Sequence, residues 1–439
     1  MITDLQQFVH ILRQENDLVE IEVEVDPYLE AAEIHRRVVA ANGPAILFKH
    51  IKGSPYPLVT NLFGSKQRIE LAFGPRPEKL VRDIAALPHE FMPPSLAKTW
   101  QMRGTFRDLL RVGLTRHKVG PITQVVETPP KLMSLPLLTT WEKDGGPFIT
   151  LPLVYTEHPS TGIHNLGMYR IQRYDDQSTG LHIQIGKGGG FHLAEAGDAP
   201  LPINISIGGP PALILSAIAP LPENVPELLL ASLTLGKRFP LTRNPSGPLP
   251  VPTNAEFCLV GEVQRNDIAP EGPFGDHYGY YSLQHDYPVF RCHSLLRKQN
   301  PLCAATVVGK PRQEDFYLGD YLQALLSPLF PLVMPQVRDL WSYGETGYHS
   351  LSAAVVQERY SREAMVSAFR ILGEGQLSLT KFLLLTDHPQ DLKDFKAVLT
   401  HILERADFRT DLFVFANLSM DTLDYTGPAV KTGSKGVLL

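Results

Sequence analysis

Hydrophobic and polar positions in the first quarter of the chain alternate between helical and extended periods. Apolar residues at helical spacing predict one helix over about residues 3–15 and another over about residues 28–42. Between them, "LVEIEVEV" alternates strictly, which is typical of a half-buried strand. Two further apolar runs and a helix from about Lys66 follow. Residues 1–114 are therefore predicted to form an α/β domain.

The pattern changes over residues 115–312, where short runs with a period of two are separated by Gly and Pro. "TGLHIQIG", "PLPINISIG" and "AEFCLVGEVQ" are examples, and they predict an antiparallel barrel or sandwich. Helical periods near residues 211–219 and 224–234 interrupt it. The middle of the chain is thus expected to be a β-rich domain with a short helical insertion.

Helical periods return in residues 313–439, at about 319–327, 359–371 and 390–404, between apolar runs such as "KFLLLTD". This part predicts a second α/β domain. The fold class expected for the whole chain is α+β, in three parts.

Composition narrows the class of protein. The chain has 439 residues, a net charge of −5 and no long run of Lys or Arg, so electrostatics gives no support for nucleic-acid binding. The three cysteines, Cys258, Cys292 and Cys303, form no CxxC pair, which argues against a disulfide scaffold and fits a reducing cytosol. The N-terminus predicts an amphipathic helix rather than a signal peptide. We expect a cytoplasmic protein.

Candidate chemistry begins in "HNLGMYRIQ" (164–172). Strand alternation would place Asn165 and Tyr169 on one face and Met168 and Arg170 on the other. The amide oxygen of Asn165 suits a hard cation, and the planar guanidinium of Arg170 suits a phosphate or carboxylate. An ordinary half-buried strand with an edge Arg would explain the same residues.

Two weaker candidates follow. Consecutive glycines in "IGKGGGFH" (185–192) can fold around an anion, although a hairpin turn would need them equally. His192 is a candidate metal ligand or a structural residue. Glu227 lies in the first turn of a predicted helix, where the helix dipole alone favours an acid.

The segment "APEGPFGDHYGYY" (269–281) places two acids, Glu271 and Asp276, among Gly, Pro and aromatic residues. This composition fits neither a helix nor an ordinary strand, and a turn could bring both acids to one pocket. Coupled acids split their pKa values, so one would stay protonated near neutral pH and could donate a proton. A solvated loop with a turn-forming Asp is the alternative.

Together these stretches resemble the UbiD family of reversible decarboxylases. The resemblance rests on "GPAILFKHIKGSPYPLVTNLFGSKQRIELAFG" (43–74), "NLGMYRIQ", "PENVPELLLASLTLG", "DTLDYTGP" and, most specifically, "APEGPFGDHYGYY". It implies prenylated FMN supplied by a UbiX-type prenyltransferase, a divalent metal (usually manganese) and often potassium. It also implies an N-terminal α/β domain (1–114), a central split β-barrel like that of flavin reductases (115–312) and a C-terminal α/β domain used in oligomerisation (313–439).

The resemblance also implies roles for individual residues. Arg170, Glu271 and Asp276 match a catalytic network in which Asp276 is the proton donor. Asn165, His192 and Glu227 match metal ligands. The implied cofactor contacts are Asn165, Met168, Tyr169, Arg170, Gln184, Ile185, Gly188, Gly189, His192 and Lys381.

The function implied is non-oxidative decarboxylation of a hydroxyarene carboxylic acid in ubiquinone or menaquinone biosynthesis, by a homo-oligomer. Peripheral association with the inner membrane is expected if the substrate carries a prenyl tail. A decarboxylase of acrylic or heteroaromatic acids is disfavoured by Asp276. A non-catalytic subunit is disfavoured by the intact Arg170, Glu271 and Asp276, and a flavin reductase by the lack of a nicotinamide fingerprint.

Overall fold

The structure is a computed structural model that describes residues 1–93, 95–183, 188–221 and 225–439, without the side chain of residue 89. It is an α+β protein, as expected, and falls into two compact units. The first unit comprises Met1–Pro77 with Arg103–Leu318, and the second Glu78–Met102 with Gly319–Leu439. The boundaries predicted at 114/115 and 312/313 stay predictions.

Helices are numbered in chain order. They are α1 (Leu5–Gln14), α2 (Glu30–Ala40), α3 (Lys66–Phe73), α4 (Arg76–Glu90), α5 (Leu96–Gln101), α6 (Arg103–Leu109), α7 (Gly188–Ala196), α8 (Pro211–Ile218), α9 (Glu227–Leu235), α10 (Glu314–Leu326), α11 (Phe330–Val333), α12 (Glu363–Leu372) and α13 (Phe395–Leu403). Among the described residues, no helix is both long and apolar enough to cross a membrane.

Strands are numbered in the same way. They are β1 (Leu18–Val25), β2 (Ala45–Ile51), β3 (Leu58–Thr60), β4 (Leu114–His117), β5 (Val125–Glu127), β6 (Phe148–Ile149), β7 (Pro152–Glu157), β8 (His164–Gly167), β9 (Ile171–Arg173), β10 (Ser178–Leu181), β11 (Leu201–Ile207), β12 (Phe239–Thr242), β13 (Val251–Pro252), β14 (Phe257–Glu271), β15 (His285–Arg297), β16 (Cys303–Ala304), β17 (Val337–Ser342), β18 (Leu351–Val356), β19 (Phe382–Thr386), β20 (Leu412–Ser419) and β21 (Thr432–Leu438).

The first helix and strand of the structure are the ones that the hydrophobic pattern predicted. Helix α1 begins where the Asp4 side chain accepts a hydrogen bond from the Gln7 N–H at 2.8 Å, an N-cap that satisfies one free donor of the first turn. The residues at helical spacing, Leu5, Phe8, Val9 and Leu12, are the ones it buries. Strand β1 pairs in parallel with β2, which continues through β3 to β16 as one sheet of the first unit.

The largest sheet of the first unit runs β6-β9-β10-β15-β14-β11-β7-β8, with β5 added on β15. Its pairings are antiparallel, as the alternating runs predicted. Strand β14 is unusually long, and register shifts near Val260 and Val263 bend the β14–β15 ladder. The closer description as a split barrel stays a prediction.

The second unit is built on the sheet β17-β18-β19-β21-β20. Its strands β18 and β19 are mostly apolar because both faces of the sheet are covered. One face packs with α12 through residues such as Ala368 and Ile371, and the other with α13 through Val398 and Ile402. The helices expected near 359–371 and 390–404 are therefore confirmed with shifted ends, whereas the one expected near 319–327 is the end of a longer helix, α10.

Three local predictions were wrong. Residues 164–172 are not one strand: β8 ends at Gly167 and β9 begins at Ile171, so simple alternation does not decide where Arg170 points. The described part of the glycine run, from Gly188, lies in helix α7 and not in a hairpin turn. The segment 269–281 was expected to be neither a helix nor an ordinary strand, but its residues up to Glu271 are the end of β14 and pair with β15.

Candidate active site

The site forms where the β14–β15 hairpin closes. Strand β14 carries Glu271 to its end, and residues 272–284 return the chain to β15. Asp144 holds this connection, because its Oδ1 accepts a hydrogen bond from the Gly275 N–H at 2.8 Å. A Cβ at Gly275 would lie 2.1 Å from Trp141, so only glycine allows this approach.

Arg170 joins the two acids that the sequence singled out. Its Nε and Nη2 donate to Oε1 and Oε2 of Glu271, both at 2.8 Å, and its Nη1 donates to Oδ2 of Asp276 at 2.9 Å. Ser282 Oγ accepts a further bond from Nη2 at 2.9 Å, and the guanidinium lies 5.1 Å from the centre of the Phe274 ring. One planar cation is thus held by four groups.

Burial makes these charges interact strongly. Glu271 is fully buried, and Arg170 and Asp276 are almost so. Burial by itself raises the pKa of Glu271, but hydrogen bonds from Arg170 and His182 outweigh it and lower that pKa. Burial likewise opposes ionisation of Asp276, yet His277 and Arg170 bring its pKa well below the usual range.

The expectation that the two acids split their pKa values is therefore wrong for this arrangement. The pKa of each acid is lowered, because a cation lies against each carboxylate and Arg170 separates them. Neither acid is held protonated near neutral pH by the other.

Sequence reasoning missed His182, which extends the network. Its Nδ1 lies 3.1 Å from Glu271 Oε2, its Nε2 lies 3.3 Å from the Tyr287 hydroxyl, and the two rings stack at 4.2 Å. Burial lowers the pKa of His182, while Glu271 opposes that shift. No short motif marks His182, because its partners are about a hundred residues away in the chain.

Sequence reasoning also passed over His277 and Ser282, although both lie within or next to the quoted motif. His277 Nδ1 hydrogen-bonds to Asp276 Oδ1, and its backbone N–H donates to the same oxygen at 2.7 Å. Ser282 accepts from Arg170 and from the Phe274 N–H. A polar residue directly beside a candidate acid was the available signal.

Asn165, on strand β8, lies against Gly188 of helix α7. A Cβ on Gly188 would be only 1.9 Å from Asn165 Oδ1, so the glycine lets the amide reach the helix terminus. Asn165 Nδ2 is buried and makes no hydrogen bond of ordinary geometry among the described residues, although the amide interacts with the Tyr169 hydroxyl. A Cβ at Gly189 would likewise lie 3.3 Å from the Tyr169 hydroxyl.

The other two expected ligands lie on neighbouring elements. Glu227 begins α9, and its Oε2 accepts from the Leu166 N–H, the residue after Asn165, at 2.8 Å. His192 on α7 is hydrogen-bonded through Nδ1 to Thr156 Oγ1 at 2.8 Å, and Thr156 pairs with Asn165 across β7 and β8. Burial lowers the pKa of His192 to about 4, so its ring is neutral.

The amide oxygen of Asn165 and the carboxylate of Glu227 fit a hard divalent cation in type, and the neutral imidazole of His192 fits a softer divalent metal. Within the described part of the chain, however, no three His, Cys, Asp or Glu side chains are grouped closely enough to hold a metal ion. A site here would therefore depend on Asn165 together with Glu227, and on an anionic group supplied by the ligand.

The remaining expected cofactor contacts belong to different parts of the chain. Met168 is half-buried between β8 and β9. Gln184 and Ile185 lie outside the described residues. Lys381 belongs to the second unit, where its Nζ lies 2.5 Å from Asp424 Oδ2 and also contacts Thr426.

The sequence matches three consecutive domains of one family, described as the N-terminal, Rift-related and C-terminal domains of 3-octaprenyl-4-hydroxybenzoate carboxy-lyase. The matches cover residues 9–87, 114–311 and 316–439. The chain belongs to the UbiD family of carboxy-lyases, as the resemblance predicted.

Curated relatives agree. An uncharacterised protein of Chlamydia muridarum is 52% identical over 439 residues, covering 99% of this chain and 76% of the relative. A Chlamydia pneumoniae protein, named as one of the subunits of a 4-hydroxybenzoate decarboxylase, is 49% identical, covering 99% and 74%.

Solved structures share the fold. The closed form of vanillic acid decarboxylase (ShVdcCD) from Sedimentibacter hydroxybenzoicus has a TM-score of 0.87 and 25% identity, over 100% of this chain and 92% of that one. The UbiD-class enzyme HmfF from Pelotomaculum thermopropionicum, in complex with FMN, has a TM-score of 0.80 at 22% identity, over 99% and 93%. The second likeness concerns the fold alone.

Proposed function

We propose that this protein decarboxylates a hydroxyarene carboxylic acid without net oxidation, using prenylated FMN. The observation that carries the proposal is the buried arrangement of Arg170 between Glu271 and Asp276. A buried cation shared by two acids is costly unless every charge is paired, which makes such an arrangement a candidate functional site.

In this proposal Asp276 delivers a proton to the substrate carbon that loses CO₂. Arg170 fixes the carboxylate of Asp276 through Nη1, and Glu271 fixes Arg170 through two parallel bonds. His182 and Ser282 hold these groups from the other side. When bound, the prenylated flavin supplies the electron sink that breaking a bond to an sp² carbon requires.

Cofactor and metal would be held beside α7. Asn165, Met168, Tyr169, Gly188, Gly189, Arg170 and His192 would contact the flavin or its phosphate. The cofactor contacts predicted for Gln184, Ile185 and Lys381 stay predictions. Asn165, Glu227 and His192 would hold Mn²⁺ against the phosphate, with K⁺ as a further cation. Glu227→Gln should reduce metal and flavin retention together; unchanged occupancy of both would remove Glu227 from the ligand set.

The substrate is proposed from two observations. Asp276, rather than the longer Glu, is the acid at the donor position. A relative at 49% identity is named for 4-hydroxybenzoate and a structural neighbour for vanillic acid, both hydroxyarene acids. We place the reaction in ubiquinone or menaquinone precursor synthesis, in the cytoplasm, and at the inner membrane if the substrate carries a prenyl tail.

Partners are also proposed, from the family resemblance and from the names of related proteins. A UbiX-type prenyltransferase would supply the flavin, and the chain would form a homo-oligomer through its C-terminal part. The Chlamydia pneumoniae relative is named as one subunit of its enzyme, and the name ShVdcCD has two components; both support a second kind of subunit as a partner.

The experiment is co-expression with a UbiX-type prenyltransferase, followed by the mass and spectrum of the extracted flavin and CO₂ release from a panel of hydroxyarene acids. Prenylated flavin with CO₂ release from at least one acid is the expected result. Plain flavin together with NADH oxidation would contradict the proposal in favour of a reductase. Release only from acrylic or heteroaromatic acids would contradict the substrate class alone.

A further inference from the structure

Asp276 is ionised in this structure, although a proton donor must carry a proton. Its Oδ2 accepts from Arg170 at 2.9 Å, and its Oδ1 accepts from the His277 backbone N–H at 2.7 Å and hydrogen-bonds to His277 Nδ1. Both oxygens therefore face hydrogen-bond donors. These neighbours overcome burial and keep the pKa of Asp276 well below its usual range, so at neutral pH it holds no proton.

Decarboxylation of a carboxylate consumes one proton in each turnover. If Asp276 delivers that proton, another group must supply it during the cycle. Arg170 does not lose a proton at accessible pH, and Glu271 is itself ionised because Arg170 and His182 lower its pKa. Of the two side chains described above as hydrogen-bonded to Asp276, His277 is therefore the one that can supply a proton.

Exposure distinguishes His277 from the rest of the network. Its side chain is 29% exposed, whereas those of Asp276, Arg170 and Glu271 are 10%, 9% and 0% exposed. His277 is thus the member that reaches water. Imidazole is also the side chain that gains and loses a proton near neutral pH.

A second acid lies within electrostatic range of His277. Asp315 on α10 interacts electrostatically with His277, Asp276 and Glu314, and its Oδ1 is buried without a hydrogen-bond partner among the described residues. Burial raises the pKa of Asp315 to about 7, against the opposing influence of His277. Below that pH Asp315 is mostly neutral, so Asp276 is the charged acid beside His277, with Arg170 as the nearby competing cation.

We propose that His277 is the proton relay that reloads Asp276; this rests on the proposed function. The bond from the ring carbon to the carboxylate breaks, and its electron pair stays on that carbon. The carbon takes a proton from Asp276, Asp276 takes the Nδ1 proton of His277, and His277 takes a proton from water. One proton is consumed and CO₂ is released.

The first test needs no cofactor. The imidazole signals of the whole protein are titrated by NMR, and the His277 signal is assigned by its loss in His277→Gln. Removing the neighbouring negative charge in Asp276→Asn should move the His277 midpoint down by about one pH unit or more. Asp315→Asn should move it much less, because Asp315 keeps its proton up to about pH 7. An unchanged midpoint in Asp276→Asn would overturn the relay.

The second test is kinetic, on enzyme loaded with equal amounts of prenylated flavin. His277→Gln should lower kcat by about tenfold or more with little change in KM, and added imidazole should restore part of the rate. His293→Gln is the matched control, because His293 is an exposed histidine of the same unit, 3.8 Å from Glu262. Wild-type kcat in His277→Gln at every pH would overturn the relay.

The two tests separate the relay from the proposed function. If the loaded wild-type protein releases CO₂ from no acid in the panel, the proposed function and the relay both fail. If the wild-type protein turns over and His277→Gln matches it, the relay fails alone. His277→Asn serves as a second variant if His277→Gln folds poorly.

Discussion

At the scale of single residues, the site depends on the shape of one guanidinium as much as on its charge. Arg170 makes two parallel bonds to Glu271 while a third nitrogen reaches Asp276. A Lys ammonium carries the same charge but cannot present this planar fork. Removing the fork would leave buried carboxylates with incomplete partners, which costs far more than losing an exposed ion pair.

Arg170→Lys should therefore lower the free energy of unfolding by about 1–3 kcal/mol and abolish turnover. Arg291→Lys is the control, because Arg291 makes the same two-pronged contact with Asp267 but is half exposed. That control should cost under about 0.5 kcal/mol. Thermal or urea unfolding of both variants checks this, and equal losses would contradict the importance of burial.

Asp315 gives a prediction about pH. Its pKa in the folded protein is raised to about 7, so the folded state keeps a proton that the unfolded chain loses near pH 4. Stability should fall as pH rises from about 4 to about 7, because the unfolded state binds fewer protons there.

Asp315→Asn removes this penalty, since the amide stays neutral. Its free energy of unfolding should exceed that of the wild type by a margin that grows between about pH 4 and about pH 7 and then levels off at about 1–3 kcal/mol. Its melting temperature should rise with that margin. Asp286→Asn, at an exposed acid, should show no such trend. A margin that shrinks with rising pH would contradict the assigned shift.

At the scale of elements, a strand end and a helix start position the chemistry. Strand β14 continues to Glu271, so the acid is fixed by ladder hydrogen bonds to β15 rather than by a loop. Gly188 of helix α7 packs against Asn165, which brings the helix to the candidate metal donors. The sequence had favoured a hairpin turn for the glycines and no regular strand for Glu271.

Gly188→Ala should displace Asn165, because the added Cβ would lie 1.9 Å from its Oδ1. Flavin and metal retention should fall severalfold while the fold persists. Gly104→Ala, in helix α6, meets no atom within 4 Å and should be neutral or slightly stabilising. Flavin absorbance per protein and metal analysis of both variants check this, and full retention in Gly188→Ala would contradict the assignment.

At the scale of the whole molecule, periodicity predicted most helices and strands and the α+β class, because burial of one face imposes a period on the sequence. It did not predict the break between β8 and β9 or the helix that the glycines begin. Those depend on close approaches such as Gly188 to Asn165, which leave no local pattern.

The sequence predicted which residues form part of the candidate site, but not how they are arranged. The residue types of Arg170, Glu271 and Asp276 indicated their association through a family resemblance, but the acids are 101 and 106 residues from the arginine. Only the fold shows that the arginine lies between them, which reverses the expected pKa splitting. The contacts of His182 and His277 with these acids likewise became visible only in the fold.

The most direct measurement is CO₂ release by Asp276→Asn, with the bound prenylated flavin quantified in the same sample. We expect wild-type cofactor content and turnover lower by at least about a hundredfold, because the proton can no longer be delivered. Asp286→Asn, at an exposed acid on β15, should turn over like the wild type. Full turnover by Asp276→Asn at wild-type cofactor content would contradict its role as the donor.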